Sequence, residues 1–419
     1  MSKLLNLCAG LFTVVTLTIA QAAAETKLDG YHTYPAHKVW QDELAKRYME
    51  KHPDVTITYR APAPTYDDAL LAIARQALTN QQPDFHLGGM HLLREFVARG
   101  LVQPFDDLLQ GKDMAALGYS KEILAQGQID GKQYALPWGV STPVIFVNTD
   151  LVRQAGGDPA HIPANWDEFI KLSGRIAALN PETIGMNWEM GNDDWMTQNL
   201  FLNNNAPLLN ADRTDVGFDT DQGLAALTLY QRFFKEGGQK PIDQQAARQT
   251  FFAGKMGFYV ATTAAVRSFS KEIGQRFVLA TAPLPLLSPD AKISSGGMIA
   301  VIVTKDPEKR KSALDYLLFG TSAESQAFIV QNTGYMPSNT GAIRADLLGD
   351  FYAKNPTYAT SMTQIPRAQA WLGWPGENAV RIGRAVRDQM TALANDQKDP
   401  KTTLADMATE VRALLPKRQ

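Results

Sequence analysis

Between Lys27 and Leu87 the spacing of the apolar residues switches four times between a strand period and a helix period, and that alternation constrains the fold more than any other feature of the chain. Lys27 to Thr33 reads as a strand. Val39, Trp40, Leu44 and Tyr48 then recur at helical spacing up to the stop at Lys51-His52-Pro53. Val55, Ile57 and Tyr59 alternate as a second strand, a second helix covers about Tyr66 to Leu78, and Pro83 to Leu87 forms a third strand that enters a Gly88-Gly89 turn. Strand, helix, strand, helix, strand predicts a parallel sheet covered by helices on both sides, with ligands at the carboxyl ends of the strands. The loops after Thr33, which begins with Tyr34, and after Leu87 are therefore candidate site loops.

Farther along, Asp130-Gly131 signals a hairpin, Tyr134 to Trp138 follows it, and Pro143 to Asn148 reads as a buried strand. Helices are expected over Trp166–Leu179, Leu224–Glu236, Ser312–Phe319 and Glu324–Val330, with strand character returning at Phe277–Ala280 and Met298–Val303. A chain of 419 residues calls for two domains. No linker, repeat or low-complexity tract separates them, so the chain is expected to cross between two lobes several times, which makes a hinge.

The first residues carry Lys3, an apolar run from Leu4 to about Ala20, and Ala22-Ala23-Ala24 before Glu25. This is the pattern of a cleaved secretory signal over residues 1–24; the alternative, a membrane anchor, is poorly served by so short a run without a basic flank. The sole cysteine, Cys8, lies inside it, so the mature chain is expected to have neither disulfides nor thiol chemistry. The six histidines form no HExxH or His-x-x-x-His pair, and a formal charge of -2 offers no footprint for nucleic acid. Neither metal nor cofactor is expected.

Several motifs in fixed order carry a resemblance. They are Asp130-Gly131-Lys132-Gln133-Tyr134-Ala135-Leu136-Pro137, Ser141 to Asn148, Asn165-Trp166-Asp167-Glu168-Phe169, Phe252 to Phe258, Gly334-Tyr335-Met336-Pro337, Phe351 to Pro356, and Arg381-Ile382-Gly383. With these the chain resembles the extracellular solute-binding proteins of ABC importers, the family that includes the maltose-binding protein, and within it the glycerol-3-phosphate-binding branch. The resemblance implies a periplasmic binding protein fold: two α/β lobes joined by a multi-strand hinge, with the ligand cleft between them. One lobe is expected at 25–139 plus 284–320 and the other at 140–283 plus 321–419. It further implies a periplasmic monomer that delivers its ligand to a membrane permease. Residue by residue, it implies cleft roles for Tyr66, Ser141 or Thr142, Thr262 or Thr263, Gly297, Tyr335 and Arg381. Where that branch has a glutamate for the glycerol hydroxyls, this chain has Met90, next to His91.

Binding a sugar or polyol needs flat apolar faces and a few fixed hydrogen-bonding groups. Of the seven tryptophans, Trp40 and Trp166 sit at helical spacing and are assigned to cores. Trp138, Trp371 and Trp374 are cleft candidates, and Trp195, beside the polar loop Gly191-Asn192-Asp193-Asp194, is another. His91 is a candidate, weighed against a helix-start role. Arg381 offers a bidentate grip on phosphate, weighed against a solvated helix face shared with Arg384 and Arg387. The adjacent carboxylates Asp106-Asp107 and Asp193-Asp194 are the only pairs that suggest a glycosidase, and such neighbours are usually solvated. The sequence thus leads to a transport binding protein for a sugar or polyol, with a phosphorylated polyol or glycerophosphodiester as the alternative ligand. A secreted hydrolase and a sensory receptor module are the competing classes.

Overall fold

The computed structural model describes residues 25–288 and 290–417; the amino-terminal apolar segment and Cys8 lie outside the described residues. Two sheets organise the chain. The first contains β1 (Thr26–His32), β2 (Val55–Tyr59), β3 (Phe85–Gly89) and β4 (Ala135–Ser141), and the second β5 (Pro143–Asn148), β6 (Ile184–Trp188), β7 (Met256–Thr262) and β8 (Leu279–Ala282). The chain then returns to the first sheet with β9 (Ile293–Ile302) and β10 (Ala368–Ala370).

The alternating segment folds as its periods predict. β1 pairs in parallel with β2 and β3, and the helices Lys38–Lys51 and Tyr66–Ala77 connect them. Thr65 caps the second helix by accepting from the Asp68 backbone N–H at 3.1 Å, and Asp67 and Asp68 favour its positive end. Its buried residues Ala69, Leu70 and Ile73 form the stripe packed into the core, and Tyr66 and Asp67 are buried at its start. The hairpin expected at Asp130-Gly131 is present, both residues adopting positive φ (50° and 78°) between the short strands Gln128–Ile129 and Lys132–Gln133.

The expectation of a wholly parallel sheet fails in one respect. β9 runs antiparallel to both β3 and β4, because it re-enters the first sheet from the second lobe rather than through a helical crossover. The Gly88-Gly89 pair is likewise not a turn but the end of β3, paired with Ile299 and Met298. In the second sheet β5 lies between β7 and β8, antiparallel to each, and β6 is parallel to β7. Helices Trp166–Ala177, Asp221–Lys235, Ala379–Ala394 and Pro400–Leu414 complete that lobe.

Two lobes therefore meet where β4 passes directly into β5 and where β8 leads to β9. Thr142 is the only residue between β4 and β5; its carbonyl accepts from Thr263 N–H at 3.0 Å. Next to it β9 carries a register shift at Met298/Ile299 and Gly297 at φ 137°. A Cβ at Gly297 would lie 2.0 Å from the carbonyl oxygen of Gly139, so only glycine lets β9 and β4 approach this closely.

Candidate ligand-binding cleft

A cavity of about 400 Å³ opens at this junction. The loop after β1 supplies Tyr34 and His37, the start of helix Tyr66–Ala77 supplies Tyr66, and the crossing strands supply Ser141, Gly296 and Gly297. From the second lobe come Glu189, Asp193, Trp195, Gln244, Arg248 and Thr262, and Tyr335 and Trp371 close the wall.

Of the sequence candidates, Tyr34, Tyr66, Ser141, Trp195, Thr262, Gly297, Tyr335 and Trp371 line this cavity. Six candidates do not. Trp138 is fully buried on the opposite face of β4, its ring filling the space left by Gly320 and tilted against Tyr316 at 5.8 Å. Strand alternation makes this unavoidable, since Ser141 and Trp138 are three residues apart and point to opposite faces. By the same rule Thr142 turns away, and its hydroxyl accepts from Gln364 Nε2 at 3.1 Å. His91 is buried behind Trp371 rather than in the cavity. Arg381 is exposed on helix Ala379–Ala394, where Nη1 reaches Asn378 Oδ1 at 3.4 Å; the face turned to the protein carries Val380, Ile382, Gly383 and Val386. Thr263 is buried beside the hinge, and Trp374 lies behind the wall, 1% exposed.

The aromatic groups form a continuous belt. Tyr34 meets Tyr66 edge-on at 4.9 Å, Tyr66 meets His91 at 5.9 Å, His91 stacks on Trp371 at 3.7 Å, and Trp371 lies 6.2 Å from Trp195. Tyr34 holds φ 62° and ψ 114°, a conformation rare for a side-chain-bearing residue, and the backbone there turns out of β1 into the cleft.

The polar groups sort by whether they are already engaged. Glu189 accepts from Arg248 Nε and Nη2, both at 2.9 Å, and from the Tyr259 hydroxyl. Burial alone would depress the Arg248 guanidinium, but Glu189 holds it firmly protonated. Asp194 is the reverse of a solvated aspartate: it is 2% exposed and accepts from Trp371 Nε1 at 3.2 Å, Trp374 Nε1 at 2.6 Å and Gln198 Nε2 at 3.1 Å. Burial raises its pKa against those three bonds. Asp193, next to it, accepts the Trp195 backbone N–H at 3.1 Å and lines the cavity; burial, reinforced by Asp194 and Asp67, pushes it up to about 7. His37 is pushed down to about 3 by burial and stays neutral. Two buried nitrogens in the lining, Trp195 Nε1 and His37 Nδ1, have no partner among the described residues.

Sequence reasoning missed His37, Glu189, Asp193, Gln244 and Arg248 as site residues. The polar loop Gly191–Asp194 was a signal for Asp193; nothing in the local sequence around Arg248 distinguishes it from a solvated helix residue.

The sequence profile of the bacterial extracellular solute-binding proteins matches residues 35–327, most of the chain, with all of the second sheet and four of the six strands of the first. The chain belongs to that family. This solute-binding protein is 24% identical over 419 residues to a binding protein of Brucella abortus, with 98% of each chain covered. It is also 24% identical over 417 residues to the sn-glycerol-3-phosphate-binding periplasmic protein of Rhizobium meliloti, covering 93% of this chain and 94% of the relative. Among solved structures, UgpB from Mycobacterium tuberculosis in complex with glycerophosphocholine superposes with a TM-score of 0.83 at 21% identity, over 93% of this chain and 98% of that one. The GacH receptor of Streptomyces glaucescens superposes at 0.80 and 18% identity, over 93% and 98%. The solute-binding protein thus shares the two-lobed architecture of these receptors, and the cavity described here lies where its lobes meet.

Proposed function

We propose that this protein captures a neutral sugar or sugar-like polyol outside the inner membrane and delivers it to an ABC permease without altering it. The observation that carries the ligand class is the state of Arg248. Among the described residues it is the only lysine or arginine lining the cavity, and the Glu189 carboxylate takes the Nε–Nη2 edge of its guanidinium side-on and balances its charge. A phosphate entering here would meet Asp193 and aromatic faces, with no free cation to neutralise it. Sugar hydroxyls, by contrast, can donate to Asp193 and accept from Trp195 Nε1, while ring faces pack on Trp371, Trp195 and Tyr34. The volume lies in the usual range of small-molecule sites, roughly 300–1,000 Å³.

Ligand contacts from both lobes favour the closed state, and wrong ligands leave buried polar groups unpaired. We assign the lobes as 25–139 with 284–332 and 140–283 with most of the residues after Asn332; helix Ala323–Asn332 packs on Lys38–Lys51 and Pro307–Gly320, which supports a crossing after Asn332 rather than at residue 320. Glu189 is engaged by Arg248 and Tyr259, so Asp193 lacks the second free carboxyl a glycosidase needs. Cargo from a secreted monomer to a membrane partner is the role that fits.

A glycerophosphodiester is the second reading, favoured by the ligand of the structural neighbour from M. tuberculosis. Calorimetry against neutral saccharides and polyols, glycerol-3-phosphate and glycerophosphocholine decides between them. Binding confined to neutral saccharides or polyols, with the compound recovered unchanged, supports the first reading; binding confined to the phosphorylated compounds overturns it in favour of the second.

A further inference from the structure

The strands that line the ligand cavity have a second face. Along β4, Ser141 lines the cavity and a Cβ at Gly139 would meet the Tyr335 ring there at 3.1 Å, so Val140 between them points the other way. Along β9, Gly296 lines the cavity and Ser295 precedes it. Val140 and Ser295 line a separate pocket of about 500 Å³ behind these strands. Elements of both lobes enclose it. Helix Lys121–Ala125 packs on β4, the segment 336–343 runs alongside, and the 3-10 helix Thr360–Arg367 is tied to the second sheet by Gln364 Nε2, which donates to the Pro143 carbonyl at 2.7 Å.

The walls are aliphatic: Ile123, Val140, Met336, Ile343, Met362 and Ile365. Ile343 and Ile365 are nearly half exposed, so the mouth is an apolar patch on the surface. Two polar atoms of the lining residues, Ser338 Oγ and Gln126 Oε1, are buried and have no partner among the described residues; Ser338 is 1% exposed. Buried polar atoms are nearly always hydrogen-bonded, so these mark where a polar group of an occupant belongs. Among the described residues no lysine or arginine lines the pocket, and Glu122 stands exposed at its rim, which disfavours an anionic head group.

We propose that this pocket binds a small neutral amphiphile, an aliphatic alcohol whose chain lies among the isoleucine, valine and methionine side chains and whose hydroxyl pairs with Ser338 Oγ. Gln126 Oε1 is a second acceptor in the same lining. The site is separate from the cleft and independent of the reading of the cleft ligand.

The test is a titration of the full chain with 1-butanol, 1-hexanol and 1-octanol followed by saturation-transfer NMR, with octanoate at neutral pH as the charged counterpart. The expected result is one saturable site whose affinity rises roughly tenfold for each two methylenes added, with octanoate bound about tenfold more weakly than 1-octanol. Ile365→Glu, on the half-exposed flank, should weaken 1-octanol about tenfold. Ser338→Ala should weaken it about threefold to tenfold and leave thermal stability at or above the wild-type value, because the hydroxyl it removes has no partner among the described residues. Neither residue lines the cleft. Absence of a saturable site, octanoate bound as well as 1-octanol, or alcohol binding unchanged in either variant overturns the proposal.

Discussion

The imidazole of His91 lies flat on the indole of Trp371, centroids 3.7 Å apart and planes 17° from parallel. Trp371 faces the cavity and His91 lies behind it, so the histidine acts as a backing plate for an aromatic wall. Its pKa is pushed down to about 3 by burial, so it carries no charge, and Nδ1 has no partner among the described residues. His91→Phe should therefore keep ligand affinity within about threefold, while His91→Ala frees the indole and weakens binding about tenfold, ~1.4 kcal/mol. Titration calorimetry on both variants checks this; equal losses would show that the nitrogen matters.

Asp194 fixes the same indole from its edge, together with that of Trp374. Asp194→Asn keeps the size but turns one acceptor oxygen into a donor facing an indole N–H. The expected cost is about 2 kcal/mol of stability from a buried unsatisfied donor, read by urea unfolding, with a shift in tryptophan emission.

Binding should depend on pH through Asp193. Burial, then Asp194 and Asp67, raise its carboxyl to about 7, with the Trp195 N–H and Arg387 opposing. A hydroxyl that donates to the ionised form favours it, so affinity should rise with pH through about 7 and level off above, with up to about half a proton released on binding at neutrality. In the free protein the sign is opposite: because the folded pKa lies above the unfolded one, protonating Asp193 contributes stability as pH falls from about 7 towards 4. Kd measured from pH 5.5 to 8.5 should show the slope in the wild type and a flat profile in Asp193→Asn.

The Arg248–Glu189 pair is a test of stored charge. Its carboxylate is buried and its guanidinium about one-third exposed. Arg248→Met should destabilise by about 2–3 kcal/mol, below the roughly 3–5 kcal/mol of a fully buried pair because the guanidinium is partly solvated, and Glu189→Gln in addition should recover a good part of that. Denaturant midpoints of the two variants check it; no recovery in the double variant would mean that the guanidinium acts through packing.

Gly297→Ala should cost about 2–3 kcal/mol and ligand affinity, since φ 137° and the Gly139 carbonyl both exclude a Cβ. Gly100→Ala, at φ 64° with open space around it, is the control, with a loss of about 1 kcal/mol. Similar losses in both would remove the close approach of β9 and β4 as the cause.

Sequence by itself determined the elements and the class. The changes of period from Lys27 to Leu87 are local, because a strand or helix that must bury one face writes its own spacing into the chain. Ser141 and Tyr335 were legible through the motifs that contain them, and Thr262 and Gly297 through the family resemblance those motifs carry. The tertiary structure decided which side chains look into the cleft. Trp138 and Ser141 share a strand, and only the position of the second lobe makes one face the site and the other the core. Arg381 became a surface residue because its helix buries Val380, Ile382 and Gly383 against the protein. Glu189 and Asp193 share the loop after β6 while Arg248 comes from helix Gln244–Phe252, and which of the two carboxylates is paired is a property of distance, which no single stretch of sequence contains.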